Sequence, residues 1–244
     1  QQASVEIAAG QLAQAYELAK AVHDARPDDG GARSILSYAL MMLGEFDESA
    51  RVGTLINQVA ASWASGQLAR AASLIDGQPP NLMLADLAVS VFVEAGRLED
   101  AANYFETLYG KKITLESLHG LGSSVASLAY AYRKLGRVDD ANHLISVART
   151  AVERDRALGY SQLPSRRVFY AELEGAAGDV QAARLAIQSA IDDGLVGAIA
   201  KSPVLEAVLP PGEMEVGVGT VFRRTNGERS KLGWPPIEPP TPEG

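Results

Sequence analysis

The chain has 244 residues, with 22 Lys and Arg against 30 Asp and Glu, and it contains no Cys. The absence of Cys excludes disulfide scaffolds, thiolate zinc sites and thiol catalysis, and the net charge of −8 disfavours a nucleic-acid-binding surface. Ala accounts for 39 residues and aromatic residues for only 6% of the chain, which favours closely packed helices over a β-sandwich or barrel. No apolar run approaches the roughly 18–20 residues that cross a bilayer, and residues 1–4 have no leader-like character.

Proline divides the chain into a body and a tail. None of the 12 prolines lies between Pro80 and Pro164, whereas seven lie at or after Pro210. Because proline in a helix interior costs about 3 kcal/mol, the long proline-free interval permits several helices. We therefore predict a helical repeat array over residues 1–209, a C-terminal capping segment over 210–233 and a proline-rich tail over 234–244.

Within the predicted array, a helical run closes on glycine, an apolar residue follows two positions later, and a new helix opens. Glycine supplies the left-handed backbone that ends a helix, and in several instances Asp or Glu then lies at the positive N-terminus of the next helix. The instances begin at Gly10, Gly44, Gly96, Gly136 and Gly178.

These glycines are 34, 52, 40 and 42 residues apart, and self-similarity at this scale is typical of helical repeat proteins. The pattern resembles the tetratricopeptide repeat family over about residues 5–195. In that register, small side chains occupy the positions at which paired helices touch: Ser37, Val89, Ala129 and Ala171 in first helices, and Ala15, Ser49, Ala101, Ala141 and Ala183 in second helices. The resemblance implies an all-α fold, a right-handed α-α superhelix or solenoid.

The interval from Gly44 to Gly96 is too long for one repeat of this kind and too short for two. Gly66-Gln67-Leu68-Ala69 echoes Gly10-Gln11-Leu12-Ala13, so we predict an extra or irregular helix at about residues 62–76.

A second resemblance covers about residues 165–236 and rests on residues 190–194, 202–206 and 226–236. These segments look like the closing module of bacterial signalling proteins in which a repeat array follows a winged-helix domain, a nucleotide cyclase or a protein kinase. The resemblance implies a role in bacterial signalling or transcription regulation. It leaves the compartment open: cytoplasmic, or periplasmic where such an array follows a membrane-spanning helix.

No motif for catalysis or cofactor binding stands out. His23, His119 and His143 have no partner at metal-ligand spacing, so neither a metal nor another cofactor is predicted. The acidic pairs are explained by helix ends. Residues 120–124 are glycine-rich, but they lack the Lys of a phosphate-binding loop.

The groove of a helix-pair array is lined mainly by first helices. The register places nine residues on that predicted concave face, and exposed Tyr, Met and Arg are typical interface anchors. These candidate partner-binding residues are Tyr38, Met42, Asp86, Ser90, Tyr130, Arg133, Lys134, Phe169 and Glu172.

The sequence therefore predicts a non-enzymatic module that binds a protein or peptide partner in a groove. Two alternatives stay open at this point. One is a helical hydrolase-like enzyme with Asp86 and Glu172 as groove carboxylates. The other is a self-associating structural spacer that forms a homodimer. Its candidate apolar surface is Val216, Val218 and Phe222, for which the alternative role is to cap the open end of the solenoid core.

Overall fold

A computed structural model describes residues 2–110, 124–157, 164–197 and 202–238. The described residues form fourteen helices and contain no β-strand, which confirms the predicted all-α class. Helices α1 to α14 are, in chain order, Gln2–Ala8, Leu12–Ala25, Gly30–Met42, Phe46–Val52, Leu55–Ala64, Leu68–Asp76, Ala85–Glu94, Leu98–Tyr109, Ser124–Lys134, Val138–Ala157, Pro164–Ala177, Val180–Asp192, Pro203–Val208 and Pro211–Lys231.

Glycine turns join the first twelve helices into pairs. Each turn glycine has a positive φ, between 71° and 89°, at residues 10, 44, 66, 96, 136 and 178. At Gly44 the amide donates to the Met41 carbonyl at 3.0 Å, and the next amide, of Glu45, donates to the Leu40 carbonyl at 2.9 Å. This bonding pattern satisfies the free carbonyls at a helix C-terminus. The five predicted turn glycines are confirmed in this role.

The predicted contact positions inside the helix pairs are also confirmed. All nine small residues named above, from Ala15 to Ala183, have zero exposed surface. Small side chains at these positions allow the helices to approach closely. The positions that the repeat pattern assigns to helix–helix contacts are therefore buried in the structure.

The interval between Gly44 and Gly96 contains two short helices, α5 and α6, on either side of Gly66, where we predicted one extra or irregular helix. Gly66 has the same positive φ as the other turn glycines. Val59 in α5 and Ala71 in α6 each have zero exposed surface. Helix α4 ends at Val52, with Gly53 as its C-cap, which leaves room for α5 before Gly66.

The chain divides into two compact units. Unit 1 comprises residues 1–67, 191–201 and 211–244, and unit 2 comprises residues 68–190 and 202–210. In unit 1, α14 packs against α2, so the predicted capping segment contributes a helix that packs against an N-terminal repeat. In unit 2, the core is built around buried residues of α8 and α9 such as Phe105, Leu128 and Tyr132.

Candidate interaction surface

Three first helices of unit 2 pack side by side. Helix α7 packs against α9, and α9 packs against α11. Val89, Ala129 and Ala171, one in each helix, are fully buried. We call the surface formed by α7, α9 and α11 the first-helix face of unit 2.

A short segment of the same chain lies on this face. Helix α13 contacts α7, α9 and α11. Its start is well specified, because Pro203 occupies the first turn and the Ser202 hydroxyl accepts a hydrogen bond from the Leu205 amide at 3.2 Å. An isolated helix of this length is not stable in water. Helix α13 therefore depends on its contacts with the first-helix face.

The contact is apolar and close. Val204 and Leu205 are 0% and 1% exposed. A Cβ atom built at Gly175 of α11 would lie 3.0 Å from Val208 Cγ2 and 3.4 Å from Val204 Cγ1. Glycine in a helix interior costs about 0.5–1 kcal/mol relative to alanine. Gly175 allows α13 to approach α11 closely, and a larger residue at this position would obstruct that approach.

The structure brings seven of the nine predicted partner-binding residues together on α7, α9 and α11. The other two are on α3, which belongs to unit 1. The seven are Asp86, Ser90, Tyr130, Arg133, Lys134, Phe169 and Glu172.

Three of the seven face into the protein or stabilise it. Ser90 and Glu172 are each 4% exposed, so neither can contact a partner directly in this conformation. The Ser90 hydroxyl lies 3.5 Å from the Ser127 hydroxyl of α9. Asp86 accepts a hydrogen bond at 3.2 Å from the backbone amide of Ser124, the first residue of α9. These interactions connect α7 with α9.

The other four are at least partly exposed. The Lys134 ammonium lies 5.3 Å from the centroid of the Tyr130 ring, and Phe169 packs against Tyr170 with ring centroids 6.0 Å apart. Arg133 donates a hydrogen bond to the Asn142 side chain at 3.0 Å. Partly exposed aromatic and cationic side chains of this kind are frequent at interfaces.

A cleft of about 620 Å³ lies beside Arg133, in unit 2. Its lining includes neither Asp86 nor Glu172, the carboxylates of the enzyme alternative. The described residues that line it are Arg133, Asn142, Ile145, Ser146, Arg149, Thr150, Glu153, Ala177 and Asp179. Within the described residues no group of three or more His, Asp or Glu side chains could hold a metal ion. His119 and residues 120–123 lie outside them.

In unit 1, the two predicted residues of α3 have different surroundings. Met42 packs against the buried cluster that includes Leu12 and Leu43. A Cβ atom at Gly197 would lie within 2.4 Å of the Met42 methyl carbon, so the chain at Gly197 covers this side chain. Tyr38 is 42% exposed.

Sequence reasoning missed a C-terminal contact in unit 1 that involves Glu228 and Arg229. Glu228 accepts a hydrogen bond at 3.0 Å from the Ala13 amide in the first turn of α2, where a carboxylate also interacts favourably with the helix dipole. Arg229 is 2% exposed and donates to the Leu43 carbonyl at 2.5 Å and to the Pro235 carbonyl at 2.7 Å. It also pairs with Glu45 at 2.8 Å.

The contact continues beyond α14. Trp234 packs edge-on against Tyr16 of α2, with ring centroids 4.8 Å apart. The Asn226 side chain exchanges two hydrogen bonds of 2.9 Å with the backbone of Ile237. The sequence marks residues 226–236 as a distinctive segment, but nothing in the linear sequence indicates that they contact the first two repeats.

Repeated helix pairs, left-handed glycine turns and buried small residues at fixed positions define an all-α helical repeat fold. Consistent with this class, residues 6–52 match the family model described as Tetratricopeptide repeat. The matched residues extend from α1 to the end of α4. No curated protein and no solved structure matches the chain. None of the described helices is both long enough and apolar enough to cross a membrane.

Proposed function

We propose that the chain is a non-enzymatic protein–protein interaction module, and that its binding site is the first-helix face of unit 2. Tetratricopeptide repeats generally mediate interactions between proteins, which supports the general part of the proposal. The observation that carries the specific part is the position of α13. A face that accommodates one short apolar helix has the shape and chemistry to accommodate another.

The chemistry of the face indicates the type of ligand. Complete burial of a Val or Leu side chain contributes about 1.5–3 kcal/mol, and α13 inserts both Val204 and Leu205. Tyr130, Arg133 and Lys134, on α9 of the same face, are at least partly exposed and offer aromatic and cationic groups to a bound peptide. The proposed ligand is thus a short amphipathic helix of a protein partner.

We also propose, from the resemblance of residues 165–236, that the module works within a bacterial signalling or transcription-regulating protein. Determination of the complete reading frame around this chain tests that context. A winged-helix, cyclase or kinase domain would support it, and an unrelated enzyme domain would contradict it.

The binding site is tested by selecting displayed 12-residue peptides on the wild-type chain and measuring their affinity for two glycine variants. Gly175→Leu fills the space that α13 now occupies. Gly227→Leu is the matched control, because a Cβ atom there meets nothing within 4 Å. Apolar helical peptides should bind the wild type and Gly227→Leu, and Gly175→Leu should weaken binding at least tenfold. Equal binding to both glycine variants would contradict the proposed site.

A further inference from the structure

Helix α13 belongs to a segment of unit 2 that is separated in the sequence from the rest of that unit. Residues 202–210 are part of unit 2, whereas residues 191–201 before them and 211–244 after them are part of unit 1. The preceding stretch is fixed in unit 1 by the Gly197 amide, which donates to the Thr225 hydroxyl at 2.9 Å. The following residue, Pro211, begins α14. The segment therefore contributes to unit 2 without being continuous in sequence with its other residues.

The two faces of α13 differ as those of a bound peptide helix do. Val204, Leu205 and Leu209 are buried, whereas Glu206 and Ala207 are exposed. Val204 and Val208, four positions apart, lie on the same side of α13, and the buried Leu209 follows as the extended C-cap residue. A helix that docks in a groove presents its anchors at this spacing.

We infer that residues 202–210 are an internal ligand of the first-helix face, and that the protein partner binds by displacing them. The partner segment is then a short helix with the same pattern: apolar residues at the positions that correspond to Val204, Leu205 and Val208, and a polar outer side. This inference rests on the proposed function, because it assigns the ligand chemistry and the regulation of that same site.

The energetic consequence is competition. A ligand held by a short covalent connection acts at an effective concentration in the millimolar range. An external helix binds only the fraction of molecules in which the face is free, so its apparent affinity falls by that fraction. The occupied face thus sets a threshold that a weak or dilute apolar peptide does not overcome.

A labelled peptide with the sequence of residues 200–212, AKSPVLEAVLPPG, tests the inference in fluorescence anisotropy titrations of the full chain. Leu205→Asp in the chain places a charge on the buried side of α13 and should release it. Ala207→Asp is the matched control, because it places the same charge on the exposed side. The peptide should bind Leu205→Asp at least tenfold more tightly than it binds the wild type or Ala207→Asp. Equal affinity for the wild type and Leu205→Asp would overturn the inference.

A second variant and a second measurement guard against an unfolding effect of Leu205→Asp. Val208 is half-buried, and Val208→Asp should give the same gain in affinity for the peptide. The far-ultraviolet circular dichroism spectrum of this variant should match that of the wild type. In the wild type, saturating peptide should accelerate hydrogen exchange of the amides of residues 204–209. Unchanged exchange with the peptide bound would mean that it binds elsewhere, and the internal-ligand inference would be wrong.

The proposed function can survive that failure. Selected peptides that bind the wild type and lose affinity for Gly175→Leu would still locate partner binding on the first-helix face. If no selected peptide is sensitive to Gly175→Leu, the proposed site itself is wrong, whatever the affinity of the 200–212 peptide.

Discussion

Arg97 and Arg137 make the same contacts in successive helix pairs of unit 2. Each directly follows a turn glycine and pairs with a carboxylate of the preceding second helix. Arg97 reaches Asp76 of α6 at 2.8 Å, and Arg137 reaches Glu106 of α8 at 2.6 Å. The residue after the turn glycine thus connects one helix pair to the one before it.

The repetition extends to two further contacts of each arginine. Each pairs with the aspartate three residues later, at 2.6 Å for Asp100 and 2.8 Å for Asp140. Each guanidinium also lies over an aromatic ring, 4.4 Å from the Phe92 centroid and 4.1 Å from the Tyr132 centroid. The acidic residues after the turns therefore have two roles, one toward the helix dipole and one toward arginine.

We predict that Arg137→Met lowers the free energy of unfolding by about 2 kcal/mol, because it leaves the largely buried Glu106 carboxylate without its cation. Glu106 is 13% exposed and would retain only the Tyr132 hydroxyl, at 3.0 Å, among the contacts described here. Urea denaturation measures the change. Arg51→Met is the control: Arg51 is 71% exposed and pairs with neighbouring Glu48 on α4, so its loss should cost less than about 0.5 kcal/mol. Equal costs for the two variants would contradict the importance of the contact between helix pairs.

Tyr132 should make the stability of the fold depend on alkaline pH. Burial, and then the nearby Glu106 carboxylate, raise the pKa of the Tyr132 hydroxyl. Above pH about 10, the unfolded chain releases a phenol proton that the folded chain retains. The unfolded state then binds fewer protons, so the free energy of unfolding decreases as the pH rises. The contribution of Tyr132 is fully present below pH about 10 and is lost above it.

Urea denaturation between pH 8 and 11 measures this dependence. The wild type should lose stability above pH about 10, and Tyr132→Phe should lose less over the same range because it cannot release that proton. At neutral pH the variant should be about 1 kcal/mol less stable, since it lacks the hydrogen bond to Glu106. An identical alkaline slope in the two proteins would show that Tyr132 is not responsible.

Arg229→Ala should destabilise unit 1 by about 3 kcal/mol, because it removes a buried cation and leaves the Leu43 and Pro235 carbonyls without that donor. Circular dichroism during thermal and urea unfolding gives the magnitude. Arg223→Ala is the matched control on the same helix: Arg223 is exposed and bonds to Thr220 at 2.9 Å, so its removal should change stability by less than about 0.5 kcal/mol. A loss below about 1 kcal/mol for Arg229→Ala would mean that this contact adds little.

Gly53→Ala should cost about 2 kcal/mol through overpacking alone. Gly53 has a φ of −77°, which any residue adopts, so the backbone is not strained by the substitution. An added Cβ atom would lie 2.4 Å from Asn57 Cβ, 2.6 Å from the Ser37 hydroxyl and 2.9 Å from the Ser49 carbonyl. Gly30→Ala, where nothing lies within 4 Å, should be neutral or slightly stabilising. Similar effects of the two substitutions in chemical denaturation would refute the steric explanation.

Much of the fold was predictable because the helix pairs are local. The small contact residues lie at fixed distances before and after each turn glycine. Ser37 and Ser49 illustrate the result, because both are fully buried and their hydroxyls are 2.8 Å apart. Helix α5 was missed because we noted the similarity of residues 66–69 to residues 10–13 but did not treat Gly66 as a turn glycine with a helix before it. Val59 lies seven residues before Gly66 and Ala71 lies five residues after it, as the small residues do around the other turn glycines, and this spacing was the signal that could have revealed α5.

The candidate site was less predictable, because it depends on a distant segment. The register assigned seven of the nine residues to α7, α9 and α11, but it could not indicate that residues 202–210 return to this face. Nor could it separate buried Ser90 and Glu172 from exposed Lys134, since helix periodicity describes a helix and not what packs on it. The position of α13 is set by long-range apolar contacts that leave no periodic signature.

The hydrogen bond between Glu228 and the Ala13 amide joins residues 215 positions apart in the chain. During synthesis on the ribosome, the N-terminal helices emerge long before their C-terminal partners exist. Domains generally fold as units once their residues are available, so unit 1 cannot reach its final state until α14 and Trp234 have left the exit tunnel. The first repeats to be made are therefore among the last to be completed, and a stalled or truncated chain would expose Tyr16 and the start of α2 to chaperones and proteases.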